Sequence, residues 1–137
     1  MKNIVTREIV PEDRRVTVTA ALFGTRFPTR IEPVVYTVTE RMAQDYRGGY
    51  WEFYTLSNGA FYMAPAEDRI YHVICDNYFE GDLSADAMGI TACLYSYSHL
   101  SFAGPAVFAD VCADQYYRLR EYMFEHSEAA AILGATD

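Results

Sequence analysis

The run from Gly48 to Pro65 constrains this chain most: it holds two aromatic, β-prone segments around a tight turn. Tyr50-Trp51-Glu52-Phe53-Tyr54-Thr55-Leu56 is dense in side chains that suit a pleated, half-buried surface. Ser57-Asn58-Gly59 supplies residues that tolerate positive φ, so the chain reverses there. Ala60-Phe61-Tyr62-Met63-Ala64 returns antiparallel, and Pro65 stops the ladder because it has no N–H to donate. Arg69 to Cys75 alternates well enough to predict a third antiparallel strand, which completes a three-stranded meander. Trp51, Phe53, Phe61 and Tyr62 are expected to form hairpin core rather than a contact surface.

Helices are expected on both sides of this sheet. Pro11-Glu12-Asp13 reads as a helix start, with Gly24 placed as its cap, although Val16-Thr17-Val18-Thr19 opposes helix on propensity. A second helix is predicted from Glu32 to Asp45, where Val34, Val35, Val38, Met42 and Tyr46 recur at helical spacing. Ser84 is a good N-cap for a largely buried helix from Ala85 to Leu100, and Pro105 opens the next one. Ser127 is expected to cap a short last turn through Leu133, ended by Gly134. The fold class expected is α+β, a small antiparallel sheet packed with about four helices, in one domain over residues 1–137.

Composition narrows the function. No apolar run approaches the roughly 20 residues of a membrane span, and the N-terminus from Met1 to Glu8 has no signal-peptide core. Cys75, Cys93 and Cys112 are odd in number and lack CxxC spacing, so they read as reduced core residues of a cytoplasmic protein. His72, His99 and His126 have no partner at metal-ligand spacing, and neither a metal nor another cofactor is expected. The net charge of −8 is uneven: through Ile31 there are six basic residues against three acids, leaving five basic and sixteen acidic residues beyond. Such an acidic body disfavours direct nucleic-acid binding, because phosphates repel it and counterion release is lost.

The eighteen residues from Gly48 to Pro65 resemble the signature of the ArdB/KlcA-type antirestriction family. Gly81-Asp82-Leu83-Ser84-Ala85-Asp86-Ala87 with Gly89 resembles its second block, and Glu125-His126-Ser127-Glu128-Ala129 its tail. Upstream, Val10-Pro11, Leu22-Phe23-Gly24, Val35-Tyr36 and Asp45-Tyr46 fall where the family's shorter landmarks are expected. Ala60 departs from the pattern, standing where a second glycine is expected. The resemblance implies an α+β inhibitor without cofactor, carried by plasmids and other mobile elements. Its implied partner is the host's type I restriction-modification enzyme complex.

The chain's charges set limits on how such an inhibitor works. Duplex DNA carries one charge per about 1.7 Å, so mimicking ten base pairs needs on the order of twenty carboxylates. Nineteen acids spread over every element and offset by eleven basic residues do not supply them. A local patch is the better candidate for contacting the partner: Asp76, Glu80, Asp82 and Asp86, read as a loop before the Ser84 helix, with Arg47 as a second exposed candidate. Two competing classes remain open from the residues alone. One is an enzyme using Glu52, His72, Tyr54 and Tyr62 on a shared sheet face for acid–base work; the other is a regulatory binding module. No nucleophile elbow, phosphate loop or HExxH motif supports catalysis.

Overall fold

The computed structural model describes residues 4–137; Met1, Lys2 and Asn3, among them one basic residue counted above, lie outside the described residues. The chain enters on a three-residue strand, β1 (Arg7–Ile9), followed by a 3-10 turn at Glu12–Arg14 and helix α1 (Arg15–Phe23). The β-branched run in α1 costs about 2 kcal/mol against alanine, summed over four residues. Burying Phe23 alone returns a similar amount, about 2 kcal/mol, so packing overrides propensity. Gly24 ends α1 at φ 60° and its N–H reaches the Ala20 carbonyl.

A single π turn, Phe27–Ile31, leads into α2 (Glu32–Met42), which stops three residues before the expected boundary. Strands β2 (Trp51–Leu56) and β3 (Phe61–Pro65) form the expected hairpin, in a register that sets Tyr54 opposite Tyr62 and Trp51 opposite Pro65. Its turn is gripped by the fourth helix: Gln115 accepts from the Phe61 N–H and donates to the Gly59 carbonyl. Trp51, Phe53, Phe61 and Tyr62 are all buried.

The meander is where the sheet differs from expectation. The third strand of this sheet is β1, which runs antiparallel along β2 with Arg7 opposite Leu56. Strand β4 (Ile70–Ile74) instead pairs with β5 (Glu80–Ser84) in a separate two-stranded sheet. The segment from Glu80 to Ser84, expected as loop, is therefore strand. Its charged residues, Glu80 and Asp82, lie on the exposed side of the pleat, while Leu83 is buried.

Helix α3 (Ala85–Leu100) is the centre of the molecule, buried over twelve of its sixteen residues between the first sheet, α2 and α4 (Ala106–Met123). Gly89 makes that position possible. A Cβ there would sit 2.4 Å from the Ala64 Cβ and 2.5 Å from the Met63 carbonyl oxygen, so the helix rests directly on the backbone of β3. The final helix, α5 (Ala129–Thr136), continues through Gly134 rather than ending there, and Ser127 makes no capping bond. Gly134 serves packing: a Cβ would come within 2.9 Å of the Phe79 ring. Among the described residues, no helix is long and apolar enough to cross a membrane.

Candidate functional site

Local sequence starts the site at the head of α3. Ser84 accepts from the Ala87 N–H, as expected of an N-cap. In a capping box the residue at Ala87 would be Glu or Gln, reaching back to the cap's own N–H. Here Glu128, from the segment before α5, takes that role: its Oε1 accepts from the Ser84 N–H at 2.9 Å, and its Oε2 bonds the Ser84 hydroxyl. The second and third family-like blocks are thus joined, forty-four residues apart.

Asp86, in the first turn of α3, gathers three more elements. Its Oδ1 accepts from the Tyr62 hydroxyl on β3 and from Arg7 Nη1 on β1, each at 2.8 Å. Its Oδ2 accepts from His126 Nε2, also at 2.8 Å. His126 Nδ1 in turn accepts from the Glu128 N–H at 3.0 Å, which selects the tautomer with the proton on Nε2. Burial pushes the Asp86 carboxyl up, but hydrogen bonds from His126 and Tyr62 and the charge of Arg7 outweigh it and hold the group below its usual range. Burial, then the Asp86 charge, drives Tyr62 far above a normal phenol, so it stays a donor. Arg7 also lies over the Tyr54 ring, which stacks on Tyr62, which stacks on Tyr122.

The four acids expected as one patch divide into three settings. Glu80 and Asp82 come together, each 2.8 Å from a ring nitrogen of His72 across the β4–β5 hairpin. Asp76 lies beyond β4 and pairs with Arg41 of α2 at 3.2 Å, with both side chains largely exposed. Asp86 belongs to the half-buried network and not to the outer face. Arg47 is exposed and its Nη1 donates to the carbonyls of Gln44 and Tyr46. Sequence reading missed Arg7, His126 and Glu128 as partners of this centre. Only the Ser-x-x-Ala departure from a capping box hinted that another side chain was needed.

Both carboxylates on His72 are acceptors, so the imidazolium is the form that satisfies both. The bond to Asp82, then that to Glu80, raises the His72 pKa above its usual 6.5. A raised folded value means the contribution is complete below about 6.5 and fades as pH rises through the folded value. A proton-NMR titration of the His72 ring is expected to show a midpoint above 6.5, and Asp82→Asn is expected to lower it. A wild-type midpoint at or below 6.5 contradicts the bonding described.

The enzyme alternative fares poorly on this geometry. Glu52, Tyr54 and Tyr62 share a face of the first sheet, but His72 belongs to the second sheet and is held by Glu80 and Asp82. Glu52 faces Arg15 at 3.6 Å. The cysteines are buried; burial pushes the Cys93 thiol to about 12 and Cys112 to about 11, far from nucleophilic thiolates. Among the described residues no cluster of His, Cys, Asp and Glu is arranged to hold a metal ion.

Comparison with known proteins places this centre in context. A family model described as "Antirestriction protein" matches residues 44–137, more than half of the chain. An Escherichia coli antirestriction protein KlcA is 41% identical over 136 residues, covering 97% of this chain and 95% of its own length. Another KlcA from Escherichia coli is 47% identical over 111 residues, covering 79% and 75%. A solved structure from work on KlcA and ArdB superposes with a TM-score of 0.90 at 38% identity, covering 100% of this chain and 98% of the other. That work describes a novel fold and antirestriction activity against Type I DNA restriction systems in vivo but not in vitro. With the signature hairpin buried as core and the other two blocks meeting at the head of α3, the chain belongs to the antirestriction protein family.

Proposed function

We propose that this protein inhibits type I restriction enzymes and so protects incoming mobile-element DNA, by binding the enzyme complex rather than by catalysis. The observation that carries this reading is the match over nearly the whole chain to KlcA, together with the 0.90 superposition on a structure from a family active against type I systems in vivo. Extended DNA mimicry is disfavoured by the way the acids are engaged. Asp45, Glu52, Asp76, Glu80, Asp82, Asp86 and Asp114 each lie within 4.0 Å of an arginine or histidine nitrogen, so their charges are locally offset. The separation of His72 from Glu52 supports a binding role over acid–base chemistry. The excess of acid beyond Ile31 argues against direct nucleic-acid contact.

The contact assigned to the partner is the outer face of the β4–β5 hairpin, Glu80 and Asp82 with neighbouring Asp76, and Arg47 as a secondary candidate. Asp86 stands apart from this face, its partners lying on β1, β3 and the segment before α5. The test is phage plating in paired strains with and without an active type I system, each expressing the protein. Unmodified phage is expected to plate better only in the restricting strain. The combined variant Asp76→Asn, Glu80→Gln, Asp82→Asn is expected to lose at least tenfold of that protection while keeping its thermal midpoint. Full protection by the variant removes the hairpin face from the reading; no protection by the wild type against two type I systems removes the inhibitor reading itself.

A further inference from the structure

The β4–β5 hairpin turns through three residues, Asp76-Asn77-Tyr78. The Tyr78 N–H donates to the Cys75 carbonyl at 3.0 Å, and the Cys75 N–H to the Phe79 carbonyl at 2.8 Å. A turn of this length puts its third residue in the left-handed region, where glycine is favoured because it has no Cβ. Tyr78 stands there instead at φ 73°, the only positive-φ residue other than glycine among the described residues. That backbone costs a bulky residue free energy. Nothing in the fold offsets the cost: the side chain is 96% exposed and makes no hydrogen bond, ion pair or ring contact with any described residue. We propose that Tyr78 is the anchor of the hairpin-face contact, its ring entering an apolar cleft on the partner protein; this rests on the hairpin reading above.

The residues on either side hold the tip in place. Asn77 Nδ2 donates to the Gly134 and Asp137 carbonyls at 2.9 and 3.2 Å, and its Oδ1 accepts from the Phe79 N–H at 3.0 Å. The Phe79 ring lies so close to Gly81 and Gly134 that a Cβ at either would meet it at 3.1 and 2.9 Å. The turn is thereby fastened to α5 while the Tyr78 side chain projects from it. A ring carried on a fixed backbone has only two χ angles to order when it binds, which keeps the entropic cost of association small. Tyrosine is also among the residues that dominate interface energetics.

The surroundings of the tip define what the ring meets. Ile70 and Ile74 on the outer side of β4 are 59% and 45% exposed, so apolar area continues along the strand behind the turn. Asp76, Glu80 and Asp82 outnumber their partners Arg41 and His72, which disfavours a nucleobase, since its phosphates would be repelled. The same pairing, at 3.2 Å for Asp76 and 2.8 Å for Glu80, leaves little charge free for a strong ionic contact. Burial of the ring therefore outweighs ion pairing at this tip. A protein cleft one ring wide, with a wet rim to receive the hydroxyl, matches a side chain that has an apolar body and a polar end.

The experiment is phage plating in the restricting and non-restricting strains, with soluble levels of each full-length variant matched, and thermal melts of the purified proteins. Tyr78→Gly is expected to lose protection by at least about thirtyfold, the loss of a central interface aromatic. Its thermal midpoint is expected at or above that of the wild type, because the backbone strain is relieved. Tyr78→Asn, which also tolerates the left-handed backbone, is expected to lose as much protection. Tyr78→Phe keeps the ring and is expected to stay within about fivefold of wild type, the worth of one rim hydrogen bond. Full protection by Tyr78→Gly overturns the proposal, as does a Tyr78→Phe variant no more active than Tyr78→Gly. Lost protection with a lowered midpoint in both Tyr78→Gly and Tyr78→Asn makes the residue structural and overturns it too. So does a wild type that sediments as a dimer while Tyr78→Gly does not, which would give the tip to a second copy of this chain. Retained protection by Tyr78→Gly beside a failing combined acid variant removes this anchor alone, whereas a wild type inactive against two type I systems removes the hairpin reading with it.

Discussion

Gly89→Ala is expected to lower the thermal midpoint by about 6–10 °C. The new Cβ would lie 2.4 Å from the Ala64 Cβ, 2.5 Å from the Met63 oxygen and 2.6 Å from the Ala64 Cα. Two of those three atoms are backbone, so no side-chain rotation relieves the clash, and α3 must lift from β3. Overpacking a close-packed core costs about 1–3 kcal/mol and sometimes more. Alanine's helix propensity returns only about 1 kcal/mol. At roughly 3–5 °C per kcal/mol for a domain of this size, the upper part of that range gives the expected shift. Ala64→Gly in the same chain is expected to rescue only a minor part, because the Met63 oxygen and the Ala64 Cα remain. Circular dichroism melts of the wild type and the two variants measure this; a midpoint within 3 °C of wild type for Gly89→Ala would sink the account of how α3 seats.

Asp86→Ala is expected to cost about 2–3 kcal/mol at neutral pH in urea unfolding. Three donors lose their acceptor at once: the Tyr62 hydroxyl, Arg7 Nη1 and His126 Nε2. Removing one partner of a buried charged pair costs about 3–5 kcal/mol, and the partial exposure of Arg7 and Asp86 places this site below that range. The pH dependence follows from the direction of the Asp86 shift. Its folded pKa lies below the usual 3.8, so the stabilisation is complete above about 4 and is lost as pH falls through the folded value. Asp86→Asn is therefore expected to be less stable than wild type at pH 7 and to converge on it in strong acid. A gap between the two proteins that stays constant from pH 7 to pH 2 would contradict the network's electrostatics.

What could be read from the residues is what local chemistry specifies. Ser57-Asn58-Gly59 announces its turn through φ preferences, Ser84 announces its cap, and Pro105 opens α4. The pairing of β4 departs from a meander because adjacency in sequence only favours pairing. Glu80-Gly81-Asp82-Leu83-Ser84 looks like loop since its outward residues are acidic, and only Leu83 betrays an inward side. Strand β1 has no signal at all: Arg7-Glu8-Ile9 is three exposed residues whose strand character comes from lying along β2. Gly134 reads as a helix end because a glycine near a helix terminus usually ends one, whereas Phe79 occupies the space a side chain would need. The candidate site was legible only in pieces. Asp86 reads from the sequence as part of an acidic contact patch, and no spacing rule joins it to His126 forty residues later or to Arg7 seventy-nine residues earlier.

The reach of Asp86 also has a consequence in time. Arg7 is synthesised well before His126 and Glu128, yet all of them converge at the head of α3. At about 5–20 residues per second a ribosome needs roughly 6–24 seconds to pass from Arg7 to His126. Through that interval the nascent polypeptide holds β1, and in about the last third of it Asp86 as well, without the residue that completes the network. Closure of this centre is consequently a late event in synthesis. A chain cut short before His126 would be unable to complete it, whatever else of the hairpin and helices had already formed.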